Sequence, residues 1–252
     1  MPGRLSRIPI LALALTCGTA GAHVLYFNDF QSATNDGHWS VWRTEATPTP
    51  YPGPVPRSFL GQFGNESVRF STALGGYTGQ LLLEFDLYLI RTWDGSSSGT
   101  PFDYGNDTFQ VSLGAGPVLF KETFSNGNPA GQSFGSAANN APMTGAVETY
   151  SLGYTFWDGT LGQSYHQDAV YRLALTFTHL DPSLQIDFTG LGLQSIDDES
   201  WGLDNVRLTW LGSPAASVPL PGILPLLGLG LIALTAVLRR RDQNGRYNSA
   251  PT

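Results

Sequence analysis

The sequence predicts an all-β protein with a single β-sandwich domain of the jelly-roll type between two short terminal segments. Charged residues make up only 13% of the 252 residues, about half the usual share, which argues against a helical bundle or a coiled coil. Aromatic residues make up 12%, enough to build a folded core. Short apolar or alternating runs, separated by clusters of Gly, Pro, Asn and Asp, are typical of strands joined by turns.

Nine segments fit this strand pattern. They are residues 23–30, 67–71, 80–91, 108–113, 117–123, 150–156, 169–179, 184–189 and 202–211. Residues 45–57 contain five prolines, so they are predicted to form an extended excursion and not a central strand, because proline cannot donate to a strand ladder. The composition does not change again within residues 23–217, which predicts one domain. The first and last strands of jelly-roll sandwiches commonly pair antiparallel, so we expect the same pairing here.

Residues 1–22 have the three parts of a secretory signal peptide. Two arginines give a positively charged start, an apolar run follows, and Ala20 and Ala22 supply the small-x-small pattern for cleavage after Ala22. The apolar run is too short to span about 30 Å of hydrocarbon. Cleavage would remove Cys17, the only cysteine of the chain, so the domain is expected to fold without a disulfide.

The C-terminal segment predicts a transmembrane helix. Residues 218–238 carry no charge, and three arginines follow at once. About 20 apolar residues span a bilayer, and a basic cluster beyond them stays on the cytoplasmic side. We therefore expect an ectodomain over residues 23–217, a membrane segment over residues 218–241 and a short cytoplasmic tail over residues 242–252.

This segment resembles the PEP-CTERM sorting signal in its VPLPA-like variant. The resemblance rests on a short proline motif, an apolar helix and an arginine cluster, carried by Val218, Pro219, Leu220, Pro221, Gly222, Arg239, Arg240 and Arg241. Leu220 stands where the name-giving motif has Glu, and Gly222 where the variant has Ala. The resemblance implies recognition by an exosortase in an exopolysaccharide-producing bacterium. The protein would be exported to the cell envelope or the exterior and anchored at least transiently in the inner membrane.

The predicted ectodomain is acidic. Residues 23–217 contain 19 carboxylates and seven basic residues, so their formal charge is −12. Such a surface disfavours nucleic acid and anionic lipid, which bind to basic faces, and it favours cations.

Pairs of Asn and Asp suggest a calcium site, because Ca²⁺ prefers oxygen ligands from these residues. Asn28 and Asp29 end the first predicted strand, and Asp204 and Asn205 lie in the last. Pairing of these two strands would bring the four residues together. A second acidic cluster follows the longest strand and contains Asp94, Asp103, Asn106 and Asp107. The alternative is that these residues serve only as turn and strand-edge residues.

Two Trp-Asp pairs suggest a sugar-binding surface. An aromatic face beside a hydrogen-bonding carboxylate is a common arrangement for sugars, and Trp93 with Asp94 and Trp157 with Asp158 have this local form. The alternative is that the rings pack in the core, as buried aromatic residues usually do.

Glu84 and Asp86 raise the question of an enzyme. Residues i and i+2 of a strand share a face about 7 Å apart, and glycoside hydrolysis uses paired carboxylates. The segment is similar to the E-x-D-x-x-E signature of laminarinase-like jelly-roll glycosidases, but Leu89 stands at the third position, where that signature has Glu. We therefore expect no enzyme activity, with a glycoside hydrolase using Glu84 and Asp86 as the alternative.

Four stretches of the ectodomain, NDF, LGQFGNESV, LEFDLYLIRTWDG and DESWGLDNVRL, also carry a resemblance. Together they resemble the extracytoplasmic β domain of many PEP-CTERM-type proteins over most of residues 26–210. Such domains are similar in outline to carbohydrate-binding or concanavalin-like sandwiches. The resemblance implies that the protein binds an extracellular polysaccharide or has a matrix role in a biofilm.

Overall fold

The computed structural model describes residues 21–32, 34–48 and 56–212, which form thirteen strands and no helix. The strands are β1 (His23–Asn28), β2 (Thr44–Ala46), β3 (Ser58–Phe63), β4 (Ser67–Ala73), β5 (Gly79–Arg91), β6 (Thr108–Ser112), β7 (Val118–Thr123), β8 (Glu148–Thr149), β9 (Thr155–Asp158), β10 (Gln163–His166), β11 (Asp168–His179), β12 (Ser183–Leu191) and β13 (Glu199–Gly212).

Two antiparallel sheets pack face to face, which confirms the prediction of an all-β sandwich. The larger sheet has the order β2-β3-β13-β5-β11-β8, with β1 also paired to β13, and the smaller has the order β4-β12-β6-β7. Aromatic rings from both sheets meet in the core: Phe85 lies 5.3 Å from Phe188, and Trp201 lies 5.2 Å from Phe109. β9 and β10 form a separate hairpin. The predicted antiparallel pairing of the first and last strands is confirmed.

The second half of β5 is buried on both faces, which explains its unbroken apolar run. Leu87 and Leu89 belong to the main core between the sheets. Tyr88 and Ile90 point to the outer face and join a smaller buried cluster there. A strand covered on both sides has no polar face to display, so its sequence shows no alternation.

Residues 150–154 provide part of the cover on that outer face. Leu152 and Tyr154 pack there, and the Asp168 carboxylate accepts hydrogen bonds from the backbone N–H groups of Leu152 (2.9 Å) and Tyr154 (3.1 Å). The prediction of a strand over residues 150–156 is therefore wrong for its first five residues. The Asp168 carboxylate takes two of their N–H groups, and only isolated backbone bonds, such as that from Tyr150 N to Asp168 O (2.9 Å), join the segment to its neighbour. Only from Thr155 onward does the chain enter a strand.

Four observed strands were not predicted. β3 follows the proline-rich stretch and is interrupted by Gly61, which obscures its pattern, while β2, β8 and β10 have two to four residues each. Among the described residues, β2 is an edge strand that pairs with β3 alone. Most of the proline-rich stretch predicted to form an extended excursion, residues 49–55, lies outside the described residues.

The predicted signal peptide up to Ala20, the sorting motif and the arginine cluster lie outside the described residues. Across residues 21–32, 34–48 and 56–212, no helix has the length and apolar character needed to cross a membrane.

Gly190 of β12 makes close packing between the sheets possible. A Cβ added there would lie 2.6 Å from Trp201 Nε1 and 2.7 Å from the Gly64 carbonyl oxygen, both closer than real contacts allow. We expect Gly190→Ala to lower the free energy of unfolding by about 1–3 kcal/mol, the usual cost of overpacking a core, as measured by urea unfolding.

Gly64→Ala is the matched control, because a Cβ at Gly64 would meet no atom within 4 Å. Its free energy of unfolding should stay within about 1 kcal/mol of the wild type. Equal effects of the two substitutions would contradict the packing argument.

Candidate functional site

Three carboxylates meet at one end of the sandwich, where β5 ends and β6 and β13 begin. Asp94 lies three residues after β5, Asp107 directly precedes β6, and Glu199 is the first residue of β13. In the antiparallel register Glu199 is opposite Arg91 at the end of β5, which places Glu199 beside the loop that follows. One oxygen of each carboxylate lies within 4.8 Å of the others. We call these three residues the acidic triad.

The acidic triad overlaps the second acidic cluster predicted from sequence. Asp94 and Asp107 were in that prediction, whereas Glu199 was not. The other two predicted members hold the intervening loop together instead: Asp103 accepts a hydrogen bond from Gly99 N (2.9 Å), and Asn106 Oδ1 accepts one from Ser98 N (2.9 Å).

Each triad carboxylate has one oxygen bound to a nitrogen donor. Asp107 Oδ2 accepts from the backbone N–H of Asp94, Glu199 Oε2 from that of Gln194 (2.7 Å), and Asp94 Oδ1 from Asn128 Nδ2 (3.1 Å). Asp107 and Glu199 are completely buried, and Asp94 is partly buried. The second oxygens, Asp107 Oδ1 and Glu199 Oε1, have no hydrogen-bond partner among the described residues.

The pKa values of the triad reflect this burial. Loss of hydration raises the pKa of Asp107 to about 7, and loss of hydration together with the nearby Asp107 charge raises that of Glu199 to about 9. Burial also raises the pKa of Asp94. Three ionised carboxylates are thus unfavourable here unless a positive charge or protons compensate them.

The loop over residues 94–107 folds back on itself and packs against the loop after β7. Gly95 has a φ of +72°, and a Cβ there would lie 2.0 Å from the Gly131 carbonyl oxygen, so only glycine fits. Asp107 N donates to Gly95 O (3.0 Å), which closes the loop at its base. Its tip exposes two aromatic side chains, Phe102 and Tyr104, the latter 65% accessible.

A cavity of about 340 Å³ opens beside the acidic triad, between this loop and the β9–β10 hairpin. It is lined by Thr92, Asp94, Tyr104, Phe156, Gln194 and Asp198, and we call it the aromatic cleft. Gln194 Nε2 donates to Tyr104 O (2.6 Å), and Thr92 Oγ1 donates to Asp198 O (3.0 Å), so its walls are tied together. The cleft combines two aromatic residues with hydroxyl, amide and carboxylate groups, a composition suited to a small polar ligand with apolar faces.

A second, larger cavity also borders the hairpin. Tyr165 of β10 is opposite Phe156 of β9 in the ladder, and it lines this second cavity of about 490 Å³ together with Tyr150 and His166. Tyr150 is 53% exposed. Aromatic side chains therefore continue around the hairpin beyond the aromatic cleft.

The predicted Trp-Asp pairs have different positions. Trp93 is completely buried in the core and donates its indole N–H to Ser200 O (2.9 Å), so the prediction that it forms a ligand-binding surface is wrong. Trp157 is 60% exposed on β9, and Asp158 closes the hairpin turn by accepting hydrogen bonds from Thr160 N and Leu161 N. Ligand binding by Trp157 and Asp158 remains a prediction.

The predicted calcium ligands Asn28 and Asp29 lie at the end of β1, paired with β13 as expected. Asn28 Nδ2 donates to Asp36 (2.7 Å), and Asp29 accepts from Gln31 N (3.2 Å), a local turn contact.

The other two predicted calcium ligands contact different groups. Asp204 Oδ2 accepts from the Tyr88 hydroxyl (2.7 Å), and Asn205 Nδ2 donates to Asp86 (2.8 Å). Burial raises the pKa of Asp204 to about 6. The hydrogen bonds of Asp204 and Asn205 thus lead to β5, whereas those of Asn28 and Asp29 lead to the chain after β1. Calcium binding by these four residues remains a prediction.

The burial of the acidic triad predicts how stability depends on pH. The folded-state pKa values of Asp107 and Glu199 lie above their ordinary values of 3.8 and 4.5, so the unfolded chain releases these protons first as pH rises. In metal-free buffer, the melting temperature should therefore fall as pH rises from about 4 to about 9.

Asp107→Asn and Glu199→Gln should each flatten this profile, because they remove one titrating group. Asp103→Asn, an exposed acid of the same loop, should leave it unchanged. Identical pH profiles for the wild type and the two triad variants would contradict the argument.

No protein-family model matches this sequence, and no curated protein matches it. Among solved structures, the chain is similar to part of dimeric latent PorU from Porphyromonas gingivalis, with 15% identity and a TM-score of 0.32 over 60% of this chain and 10% of that one. It thus spans about a tenth of the PorU chain.

Two further similar structures are carbohydrate-binding modules. One is TmCBM27, described for specific mannan recognition, with 16% identity and a TM-score of 0.36 over 76% of this chain and 99% of that one. The other is the CBM2 module of the evolved Dit of Lactobacillus casei BL23 phage J-1, with 10% identity and a TM-score of 0.34 over 75% and 96%. Likenesses at these TM-scores show neither a shared family nor a shared ligand.

Proposed function

We propose that this protein is exported and held, at least transiently, in the inner membrane, and that its β-sandwich binds an extracellular polysaccharide without cleaving it. The observation that carries the binding proposal is the aromatic cleft, in which Tyr104 and Phe156 lie beside Thr92, Gln194 and Asp198. We assign the sandwich to the jelly-roll class, which the antiparallel sheets and the pairing of β1 with β13 support.

The chemistry of the cleft suits a sugar. A sugar ring has an apolar C–H face that packs against an aromatic ring, and hydroxyls that bond to carboxylates and amides at the edge. Tyr104 supplies an exposed ring, and Gln194 and Asp198 supply polar groups at the same cavity. The acidic ectodomain repels acidic polymers, so a neutral polysaccharide is the better ligand.

A glycoside hydrolase using Glu84 and Asp86 is the alternative. These residues lie on the outer face of β5, in a depression of about 230 Å³. Arg172 binds Asp86 through two nitrogens (2.8 and 3.2 Å), and Asn205 donates to the same carboxylate. Both oxygens of this carboxylate are occupied by donors, so neither is free to act as a nucleophile or to exchange a proton with a substrate. We therefore favour binding without catalysis.

Export and anchoring are supported by the terminal sequences alone. Residues 1–22 have the pattern of a signal peptide, and residues 218–241 resemble a PEP-CTERM signal with its membrane helix. In this proposal an exosortase processes the C-terminal segment, and the polysaccharide belongs to an exopolysaccharide or biofilm matrix.

The binding proposal predicts which side chains matter. On a glycan array of neutral and acidic polysaccharides, the protein should select at least one neutral glycan. Tyr104→Ala and Phe156→Ala should each weaken that interaction about tenfold in a calorimetric titration, because truncating an aromatic anchor costs about 1–2 kcal/mol.

Phe27→Ala is the matched control for the cleft. Its ring is 47% exposed and lines the separate depression at Glu84 and Asp86. Affinity lost in Phe27→Ala and kept in the two cleft variants would move the ligand to the outer face of β5 and favour the hydrolase. A Trp157→Ala variant shows whether the exposed tryptophan of the hairpin also contacts the glycan.

The sorting proposal predicts a separate defect. Replacing Pro219 and Pro221 by Ala should leave the protein in the inner membrane, because the motif for the exosortase is lost while the helix is favoured. Fractionation of cells followed by immunodetection measures this. Pro225→Ala, within the apolar segment but outside the motif, is the control and should be sorted normally. Normal delivery of the double variant would refute exosortase recognition.

A further inference from the structure

The acidic triad contains two carboxylate oxygens that no N–H or O–H donor of the described residues reaches. The carboxyl groups of Asp107 and Glu199 can bond to each other only when one of them carries a proton. Asp107 Oδ1 and Glu199 Oε1 are buried without a hydrogen-bond partner, on side chains with no accessible surface. Buried polar atoms nearly always have a partner, so these two atoms point to a missing donor or ion. We propose that Asp94, Asp107 and Glu199 bind one divalent cation of the oxygen-preferring class, such as Ca²⁺.

The distances fit one ion. Ca²⁺ binds oxygen at 2.3–2.6 Å, so two ligand oxygens on the same ion are at most about 5 Å apart. Oxygens from the three carboxylates lie within 4.8 Å of one another. Hydrogen bonds from Asp94 N and Gln194 N already hold Asp107 Oδ2 and Glu199 Oε2, which fixes both side chains with their second oxygens free.

Within residues 21–32, 34–48 and 56–212, no basic side chain forms an ion pair with the triad. The four ion pairs among the described residues join Arg43 to Glu66, Arg57 to Glu148, Arg69 to Asp187 and Arg172 to Asp86. Arg91, opposite Glu199 in the ladder, donates instead to Gln62 and to Ile196 O. The positive charge that this cluster needs must therefore come from a cation or from protons.

The donor set selects a hard cation. The triad contains no cysteine or histidine, so it lacks the ligands that favour zinc or copper. Mg²⁺ requires near-ideal octahedral geometry at about 2.0–2.1 Å, whereas Ca²⁺ accepts irregular sets of six to eight oxygens. Asp94 lines the aromatic cleft, which gives the ion a route from solvent and room for water ligands.

The place of the site in the fold gives the ion a structural effect. Its three ligands come from the end of β5, the start of β6 and the start of β13, and two of them bracket the loop that carries Tyr104. One ion would thus join the two sheets at this end and hold both ends of the loop. The competing explanation is a proton shared between Asp107 and Glu199.

The experiment titrates Ca²⁺ alone into metal-free protein produced from the full-length sequence. Isothermal calorimetry should give one ion per chain, and Ca²⁺ should raise the melting temperature by several degrees over the chelated protein, because it binds only the folded state. Glu199→Gln and Asp107→Asn should each weaken binding at least tenfold. Asp103→Asn, an exposed acid of the same loop, should bind like the wild type.

Three results would overturn the proposal. The first is that the wild-type protein shows no heat of binding and has equal melting temperatures in Ca²⁺ and in chelator. This result uses the wild type alone, so it excludes the cation site even if a triad variant fails to fold. The second is that the wild type and the Glu199→Gln variant both fail to bind Ca²⁺ and that the variant is the more stable of the two in both buffers. A proton shared between Asp107 and Glu199 predicts this result. The third is binding lost in Asp204→Asn but kept in the triad variants, which would move calcium to the β1–β13 pair. Glycan binding by Tyr104 and Phe156 is measured separately, in the titrations of the cleft variants, so failure of the cation proposal can be told apart from failure of the binding proposal.

Discussion

β5 and β13 pair over almost their whole lengths, from Glu199 opposite Arg91 to Gly212 opposite Gln80. Every other strand of the larger sheet attaches to one of these two strands, or to a strand that does. Their register also places the start of β13 at the end of β5, where the chain leaves the sheet. Because of this one register, a carboxylate from residue 199 meets two from the 94–107 loop, and the aromatic cleft opens beside them.

Buried carboxylates hold the irregular parts of this domain, whose described residues contain no cysteine. Asp168 accepts two backbone hydrogen bonds and fixes residues 150–154 over the larger sheet. Asp107 and Glu199 each fix one backbone N–H in the same manner but keep one oxygen without a partner. A buried charge is tolerated only when it is paired or well hydrogen-bonded. This difference separates Asp168, whose bonds serve the fold alone, from the acidic triad, whose unfilled oxygens require a further partner.

Local patterns in the sequence predicted the sandwich, eight of the eleven strands in its two packed sheets and two of the three triad residues. Asp94 and Asp107 could be found because they lie 13 residues apart in one loop. Glu199 could not, because its position depends on a pairing with a strand more than 100 residues away. Trp93 shows the same limit: Trp93-Asp94 is a plausible surface pair by sequence, yet the ring turns into the core and donates to Ser200 O while Asp94 faces the cleft. The exposed ring of the cleft belongs instead to Tyr104, which no sequence pattern identified.

Asp94 belongs to both the acidic triad and the aromatic cleft, so the charge of the triad acts on whatever lies in the cleft. Electrostatic interactions over a few ångströms are strong where water is partly excluded. Three uncompensated carboxylates would repel acidic sugars, whereas a bound cation would reduce that repulsion. Ca²⁺ takes six to eight oxygens, more than three carboxylates with one oxygen each already engaged can supply. Water or the hydroxyls of a neutral sugar would complete the set on the side where Asp94 opens to the cleft. Asp94 would then contact the cation on one side and border the glycan on the other, while Tyr104 would pack its ring against the glycan.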